Sequence, residues 1–565
     1  MPAQHFRSLA SQKQILHKGA NEGFQSHPLV WLNSGFLVKY KPCKSAARPL
    51  SLLIFFEPIF PTRLSKPLIF IGRNPLAFRE YDIRGRVNPD LGPEKVERLG
   101  RALGAYYYGH GARRLVLARD CRPSSPEIAH HLEKALIQSG CQVIDIGICP
   151  TPVLYFALRQ LKADGGVMVT ASHNPPEFNG FNICLGNHTI FGAEIQKVRR
   201  LAEAGDAVVG QGTRDSREMI PTYLDYLCQN LKIARPLKVG LDGGHGTAGP
   251  VALSFLNRMG CRTFLLYCEM DGRFPDHLPD PTIPANLADL QSLVKEHSLD
   301  LGVAYDGDGD RLGVVGPQGE IIWGDRLMVL FARDILKHHP GATIMGEVKC
   351  SQQMYEDIAR HGGRPLMWKT GHSLIKQKMQ EEKALAAGEM SGHLFFADRY
   401  FGYDDAIYAT GRLLEILAAT DRAISELLAD LPGSVTTPEI RWDCPDKVKF
   451  QVVENIKRRV RGRYAFIDLD GVRLQFPDGW GVIRAGQLVV GVPFSHSLAN
   501  LVAHGPHGFI GFNFQHPLQG QNGNAALLAP HQPDHPEAFV QRGSGLVKHG
   551  ACGQRGLITA GPAII

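Results

Sequence analysis

The sequence lacks the cysteine patterns that mark zinc sites and disulfide-rich secreted domains. Its eleven cysteines are odd in number, are scattered from Cys43 to Cys552 and include no C-x-x-C pair. This spacing argues against a zinc centre and against an extracellular disulfide framework. We therefore expect reduced thiols and a cytoplasmic location.

The sequence also lacks a hydrophobic run long enough to cross a membrane. The apolar run of residues 50–56 is followed by Glu57, Pro58 and Pro61, so it is shorter than the roughly 20 residues that span a bilayer. The hydrophobic fraction of 44% and the charged fraction of 21% are ordinary for a globular chain. The composition predicts neither a membrane protein nor a disordered one.

No basic repeat or RNA-binding motif accompanies the net charge of +7. A weakly basic chain suits an anionic small substrate as well as a nucleic acid. One hypothesis is nucleic-acid binding through the basic first seventy residues, which would require a salt-sensitive interaction with DNA or RNA. We expect no nucleic acid and no membrane among the partners.

Acidic residues are scarce at both ends of the chain. Residues 1–73 contain ten lysines and arginines but only Glu22 and Glu57 as acids, which fits a targeting segment or a non-native upstream extension. From residue 486 onward only Asp534 and Glu537 are acidic. The seven histidines of this tail form no ligand pattern such as H-E-x-x-H, which favours a poorly ordered tail over a metal site.

Between these ends, apolar strand patterns alternate with helical ones. Residues 114–118 are strand-like, residues 125–136 helical and residues 142–146 strand-like again, and similar cycles start near residues 237 and 342. Beyond residue 437, short strands and one basic helix predict an antiparallel α+β unit. The predicted fold class is α/β, with three tandem similar mixed α/β domains and a smaller C-terminal α+β domain.

A candidate nucleophile lies in the segment VTASHNPP, residues 169–176. Ser172 follows an apolar strand pattern and precedes two prolines, so we place it on a strand-end loop, where ligands bind in open α/β sheets. Ser-His-Asn can also simply begin a turn. A phosphorylated Ser172 would carry a charge near −2, which a divalent cation could offset.

Three aspartates alternate with glycines in the segment DGDGDR, residues 306–311. The glycines permit tight turns, so Asp306, Asp308 and Asp310 can converge on one hard cation. An EF-hand would need glycine and glutamate where this chain has Arg311 and Pro317, and a solvated acidic turn is the other alternative. We predict a Mg²⁺ site beside a planar phosphate donor, Arg311. With the serine loop, this site indicates phosphoryl transfer.

Two shorter loops offer sugar-binding chemistry. In the sequence EMSGH, the carboxylate of Glu389, the hydroxyl of Ser391 and the imidazole of His393 can bond sugar hydroxyls, and His393 can transfer protons near neutral pH. In the sequence KTGH, Lys369 and His372 add a cation and a second imidazole. The second loop also fits a simple helix start.

Five motifs, taken in order, resemble those of the α-D-phosphohexomutase family, and especially its bacterial phosphomannomutase/phosphoglucomutase branch. They are FREYDIRG at 78–85, TASHNP at 170–175, DGDGDR at 306–311, KTGH at 369–372 and GEMSGH at 388–393. The resemblance covers residues 74–485. Met390 favours the mannose/glucose branch over the phosphoglucosamine mutases, which usually have glutamine there.

The resemblance implies four domains around a central cleft, the last of them a lid-like domain that grips substrate phosphate. We divide the chain accordingly into an N-terminal extension (1–73), domain I with the serine (74–217), domain II with the metal loop (218–320), domain III with the sugar loops (321–432), a truncated domain IV (433–485) and a tail (486–565).

The resemblance also implies the reaction. Phospho-Ser172 would give its phosphoryl group to a mannose or glucose 1- or 6-phosphate, and the bisphosphorylated sugar would return its other phosphate to the serine. Glucose 1,6-bisphosphate would be the activator, and the oligomeric state stays open. The implied catalytic residues are Ser172, His173, Arg84, Arg311 and His393; the implied substrate-binding residues are Lys369, His372, Glu389, Ser391 and Arg484; the implied Mg²⁺ ligands are Ser172, Asp306, Asp308 and Asp310.

Two departures from the family pattern fall on the chemistry. The family usually has a lysine after Asn-Gly-Phe, where this chain has Asn182, and the loss removes a charge-assisted hydrogen bond of roughly 1.5–3 kcal/mol. The usual phosphate loop Arg-Ala-Ser-Asn-Thr is replaced after Arg484 by Ala-Gly-Gln-Leu. We expect an absent phosphate clamp and an incompletely folded last domain. The alternative functions are a catalytically impaired phosphosugar-binding relative or a phosphoglucosamine mutase.

Overall fold

The computed structural model describes residues 29–32, 36–39, 77–78, 82–205, 207–432, 444, 446–476, 479–485 and 487–491. The predictions for residues 1–28, 33–35 and 40–76, for a strand at 439–442 and for the histidine-containing tail beyond 491 lie outside the described residues. Within the described part, no helix is long and apolar enough to cross a membrane. The nine cysteines described there are free thiols.

Two short strands lie in the N-terminal extension, β1 (Leu29–Leu32) and β2 (Phe36–Lys39), and they pair antiparallel. The sequence shows no sustained strand period in this region. Each strand has only four residues, which is too short for a period of two to stand out.

Domain I is built on an eight-stranded mixed sheet with the strand order β10-β6-β5-β7-β8-β4-β3, where β9 pairs with β8. Its central strand, β7, is buried at all five positions because helices cover both faces. The elements are β3 (Ala77–Phe78), β4 (Ile83–Arg86), α1 (Val87–Asp90), α2 (Pro93–Gly109), β5 (Arg114–Arg119), α3 (Ser125–Gln138), β6 (Gln142–Ile148), α4 (Thr151–Gln160), β7 (Gly165–Val169), β8 (Phe178–Leu185), β9 (His188–Thr189), α5 (Ala193–Ala204) and β10 (Thr213–Ser216).

Domain II has a five-stranded sheet with the order β12-β11-β13-β14-β15, in which the first three strands are parallel. A 3₁₀ helix at Pro284–Leu287 precedes α8. The elements are α6 (Ile220–Asn230), β11 (Lys238–Asp242), α7 (Ala248–Arg258), β12 (Arg262–Leu266), α8 (Ala288–Glu296), β13 (Leu301–Tyr305), β14 (Leu312–Val315) and β15 (Ile321–Ile322).

Domain III has a four-stranded sheet with the order β17-β16-β18-β19, parallel except at β19. The elements are α9 (Gly324–His338), β16 (Thr343–Glu347), α10 (Gln352–Arg360), β17 (Arg364–Trp368), α11 (His372–Glu382), β18 (Ala386–Gly388), β19 (Leu394–Phe396), α12 (Ala406–Ala418) and α13 (Ile424–Leu427). The KTGH segment does lead into a helix, since α11 begins at His372, its last residue.

The last sheet is antiparallel throughout, with the order β20-β21-β22-β23. The predicted basic helix is present before this sheet, and the predicted short strands belong to it. The elements are α14 (Asp446–Val460), β20 (Ala465–Ile467), β21 (Val472–Phe476), β22 (Gly479–Arg484) and β23 (Gln487–Gly491). The strand β23 follows the point where the family pattern ends and pairs with β22. The three mixed α/β sheets and the smaller α+β unit confirm the predicted fold class.

Candidate active site

The serine loop begins where β7 ends. Ser172 has a backbone φ of 51°, a left-handed conformation that a non-glycine residue keeps only when its surroundings hold it there. Its buried Oγ donates a hydrogen bond to Asp306 Oδ2 at 2.6 Å. The loop thereby directs the hydroxyl of domain I at the acidic loop of domain II.

Arg122, which no sequence motif singled out, holds the serine loop in place. It is fully buried and donates to the carbonyl oxygens of Ser172 at 2.7 Å, Asn174 at 2.5 Å and Pro175 at 2.7 Å. Asp120 balances its charge, with 3.0 Å between Arg122 Nε and Asp120 Oδ2. A guanidinium suits this task because it directs five donors from one rigid plane.

Arg84, on β4, contacts the same loop. Its Nη1 donates to the carbonyl oxygen of Ala171 at 3.0 Å and to Asn174 Oδ1 at 2.8 Å. Asp82 Oδ2 lies 2.5 Å from Arg84 Nε. The predicted catalytic arginine is therefore held at the serine loop.

His173 lies directly beside the nucleophile, with 3.2 Å between its Nδ1 and Ser172 Oγ. Burial, reinforced by the charges of Arg311 and Arg84, holds the pKa of His173 well below its usual range. The imidazole is therefore neutral at physiological pH, and it can exchange a proton with the serine oxygen.

The acidic loop follows β13, a strand buried at all five positions. Oxygens of Asp306, Asp308 and Asp310 lie within 4.8 Å of one another in a fully enclosed cluster. Burial, with repulsion from Asp308, raises the pKa of Asp306 to about 7 and holds the pKa of Asp310 well above its usual range. Protons or a cation must therefore offset the crowded charge.

The acidic cluster also contains bare oxygens. Within the described part of the chain, Asp308 Oδ1 and Asp310 Oδ1 are buried without a hydrogen-bond partner. Buried acceptors without partners are costly, and a hard divalent cation with oxygen ligands removes that cost. The three carboxylates and the adjacent Ser172 hydroxyl therefore fit Mg²⁺.

Gly307 allows the two loops to meet. A Cβ at this position would collide with the carbonyl oxygen of Ser172. From the other side, Thr247 N donates to the carbonyl oxygen of Gly307 at 3.0 Å. The glycine spacing of the acidic motif thus serves the close approach of domain I as well as the turn itself.

Domain III meets the acidic loop through His393. Arg311 Nε donates to His393 Nε2 at 3.0 Å, and His393 Nδ1 lies 3.1 Å from Asp404 Oδ2. Because arginine can only donate, Nε2 is unprotonated and the ring proton is on Nδ1. Burial lowers the pKa of His393 more than Asp404 raises it.

Asp404, also missed from the sequence, joins the two histidines of the sugar loops. Its Oδ2 lies 3.4 Å from His372 Nδ1, and its Oδ1 accepts a hydrogen bond from Lys376 Nζ at 3.0 Å. Burial would protonate Asp404, but Lys376, His372 and His393 outweigh it and hold its pKa well below the usual range. The imidazoles of His372 and His393 stack at 5.6 Å.

The two predicted sugar loops contact each other at Glu389. Its Oε1 accepts from Gly371 N at 2.6 Å and its Oε2 accepts from Ser391 Oγ at 3.0 Å. Burial favours the protonated form, but Lys349 and the hydrogen bonds from Gly371 N and Ser391 Oγ lower the pKa of Glu389 below its usual range. Glu389 is thus an ionised acceptor. Lys349, a buried cation, is a further residue that the motifs did not identify.

Two predicted substrate-binding residues lie apart from this cluster. Lys369 is exposed, and Arg484 Nη2 lies 2.8 Å from Asp470 Oδ2 in domain IV. Asp470 Oδ2 also accepts a hydrogen bond from Thr370 N at 3.0 Å. Domain IV therefore meets the KTGH loop through Asp470. The roles of all the predicted site residues stay predictions.

This arrangement of three α/β domains and an α+β domain, with a serine beside an acidic loop, is the multidomain fold of a phosphohexomutase. Residues 75–209, 221–319 and 323–435 match the family models described as phosphoglucomutase/phosphomannomutase, alpha/beta/alpha domains I, II and III.

Curated and solved relatives agree with these matches. A phosphomannomutase/phosphoglucomutase from Pseudomonas aeruginosa is 45% identical over 409 residues, 72% of this chain and 88% of that protein. A phosphoglucomutase from Neisseria gonorrhoeae is 42% identical over 413 residues, 72% of this chain and 90% of that protein. The crystal structure of a phosphoglucomutase/phosphomannomutase family protein from Burkholderia thailandensis has a TM-score of 0.70 at 38% identity and covers 74% of this chain and 94% of that one. The chain belongs to the α-D-phosphohexomutase family.

Proposed function

We propose that the chain is a phosphohexomutase that interconverts the 1- and 6-phosphates of glucose, mannose or both. The observation that carries the proposal is the 2.6 Å contact between Ser172 Oγ and Asp306 Oδ2. It places a hydroxyl that can carry a phosphoryl group against three buried carboxylates. Phosphoryl transfer needs positioning and charge neutralisation more than covalent chemistry.

In the proposed reaction, the P–O bond to Ser172 breaks as a P–O bond forms to the free hydroxyl of the hexose phosphate. That hydroxyl loses its proton to His393, whose Nε2 is the unprotonated ring nitrogen. Arg311, which donates to that nitrogen at 3.0 Å, would turn to the phosphate oxygens and release it. The serine oxygen regains a proton from water, which the neutral ring of His173, 3.2 Å away, can relay, and His393 keeps the sugar proton until the second transfer returns it.

The resulting bisphosphorylated sugar turns over and returns its other phosphate to Ser172 by the same steps in reverse. Mg²⁺ held by Asp306, Asp308, Asp310 and Ser172 would offset charge on the moving phosphoryl group. Glucose 1,6-bisphosphate would place the first phosphoryl group on the serine. Glu389, Ser391 and His372 would bond sugar hydroxyls, and Lys369 and Arg484 would bind phosphate. We place the enzyme in the cytoplasm, in keeping with its free thiols.

Turnover of the purified full chain tests the proposal. The reaction contains Mg²⁺, a trace of glucose 1,6-bisphosphate and glucose 1-phosphate, mannose 1-phosphate or glucosamine 1-phosphate, and formation of the 6-phosphate is followed. We expect turnover of the glucose or mannose substrate that is lost in Ser172→Ala and kept in Ser216→Ala, an exposed serine on β10.

The other outcomes separate the alternative functions. A preference for glucosamine 1-phosphate would indicate a phosphoglucosamine mutase. Phosphosugar binding without turnover would indicate an impaired relative and would point to Asn182 and the altered segment after Arg484. Turnover that persists in Ser172→Ala would contradict the phosphoserine mechanism.

A further inference from the structure

One carboxylate of domain III is fully buried and joins three segments of the site. Glu347 ends β16 and is fully buried. Its Oε2 accepts from Lys349 N and from Thr370 Oγ1, both at 2.7 Å, and its Oε1 accepts from Met390 N at 3.3 Å. The three donors come from three loops that follow three different strands.

We propose that Glu347 is a positioning residue for substrate, and that its carboxylate fixes the Lys349, Thr370 and Met390 segments relative to one another. This inference rests on the proposed function, since these segments carry the groups assigned to the sugar. Met390 adjoins Glu389, and Thr370 adjoins Gly371, whose N–H donates to Glu389 at 2.6 Å. The position of Glu389 is therefore set from both sides by loops that Glu347 holds.

Glu347 is also connected to domain IV, indirectly, through Thr370. The hydroxyl of Thr370 bonds Glu347, and the backbone N–H of the same residue bonds Asp470 at 3.0 Å. Asp470 in turn pairs with Arg484 at 2.8 Å. A shift of the Thr370 segment would therefore displace the partner of the predicted phosphate-binding arginine as well.

Glu347→Gln is the sharpest single change, because it keeps the shape of the side chain. The amide oxygen can keep the two 2.7 Å bonds, which leaves the –NH₂ group facing the N–H of Met390. Two donors then oppose each other beside Glu389. In the proposed function these loops hold the sugar both before and during transfer, so we expect the loss to fall on uniform binding. We expect the KM for glucose 1-phosphate to rise about ten-fold, while kcat changes less than about three-fold.

Two matched controls separate positioning from simple stability. Asp357→Asn removes a fully buried carboxylate of the same domain that pairs with Arg333 at 2.7 Å; it should lower Tm and leave KM unchanged. Thr370→Val should raise KM as Glu347→Gln does, whereas Thr370→Ser, which keeps the hydroxyl, should retain the KM of the wild type.

The experiment also separates this inference from the proposed function. If the wild type shows no turnover, the proposed function fails, and the dissociation constant of glucose 1-phosphate measured by calorimetry replaces KM. We then expect about ten-fold weaker binding by Glu347→Gln. An unchanged KM or dissociation constant in Glu347→Gln, with or without a lower Tm, would overturn the positioning role.

Discussion

The acidic loop of domain II and two carboxylates of domain III, Glu347 and Glu389, are both buried, but their oxygens are satisfied differently. Asp308 Oδ1 and Asp310 Oδ1 have no hydrogen-bond partner in the described part of the chain. Glu347 and Glu389 accept hydrogen bonds on both of their oxygens. Bare oxygens indicate a place that a cation completes, whereas satisfied ones indicate a scaffold that holds other groups in place.

The largest expected effect comes from breaking the cation side of this comparison. Asp308→Asn removes one of three convergent charges, and we expect kcat to fall about 1000-fold, or roughly 4 kcal/mol of transition-state stabilisation. Steady-state assays across a range of Mg²⁺ concentrations measure it. Asp289→Asn, an exposed carboxylate of the same domain that bonds Tyr267, should be nearly silent. Full activity in Asp308→Asn would remove the metal assignment.

Stability against pH gives a second test of the bare carboxylates. The pKa of Asp306 is raised from 3.8 to about 7 in the fold, so between these values the native chain holds a proton that the unfolded chain has lost. Without a cation, Asp306 should therefore lower the free energy of unfolding by roughly 4 kcal/mol as pH rises from about 4 to 7, and Asp310, whose pKa is raised in the same direction, adds to the fall.

Mg²⁺ should prevent this loss because it stabilises the ionised carboxylates. Urea unfolding at pH 5, 6, 7 and 8, with Mg²⁺ and with a chelator, measures the difference. We expect a large stabilisation by Mg²⁺ at pH 8 and little at pH 5, with a flatter profile for Asp306→Asn. Equal stabilisation at every pH would show that the cation binds elsewhere.

The serine loop of domain I is likewise held by satisfied hydrogen bonds, and it can be tested with a substitution that keeps the charge of Arg122 but loses its geometry. Arg122→Lys retains a cation but cannot serve the carbonyl oxygens of Ser172, Asn174 and Pro175 together. We expect kcat/KM to fall about 100-fold, since two or more charge-assisted hydrogen bonds to the serine loop are lost. Arg217→Lys, an exposed arginine after β10, is the control. A mild effect would mean that the loop keeps its shape without Arg122.

The smallest expected effect on activity comes from a substitution that adds a positive charge to domain I. Asn182 is buried on β8 and pairs with Met168 of β7 on the same face of the sheet. Asn182→Lys supplies the ammonium that the family pattern has at this position, and we expect kcat/KM to rise about ten-fold. Asn182→Gln controls for size. No gain over Asn182→Gln would show that the site works without this cation.

The sequence predicted those parts of the site whose chemistry is contiguous. Ser172 and His173 are neighbours, and the three aspartates lie within five residues of one another, so each motif could be interpreted by itself. Arg122 bonds the serine loop across 50 residues, Lys376 bonds Asp404 across 28 and Met390 bonds Glu347 across 43. Nothing local marks such residues, because their partners are defined only by the fold.

The fold, like the site, has features that follow from local sequence and features that depend on distant pairing. The α/β class could be predicted because strand-like and helical patterns alternate along the chain, and the segments at 114–118, 125–136 and 142–146 are found as β5, α3 and β6. The strand β23 could not, because its five-residue segment QLVVG follows a break in the family pattern and is defined by pairing with β22. The domain limits, including the end of domain IV at residue 485, stay predictions.

The left-handed backbone at Ser172 restricts which alcohol can serve as the phosphoryl carrier. Threonine has the same hydroxyl, but its branched Cβ makes a φ of 51° far more costly than it is for serine. A Ser172→Thr chain would have to give up either the turn or the contact with Asp306. The geometry of the main chain, rather than the reactivity of the side chain, therefore makes this position exclusive to serine.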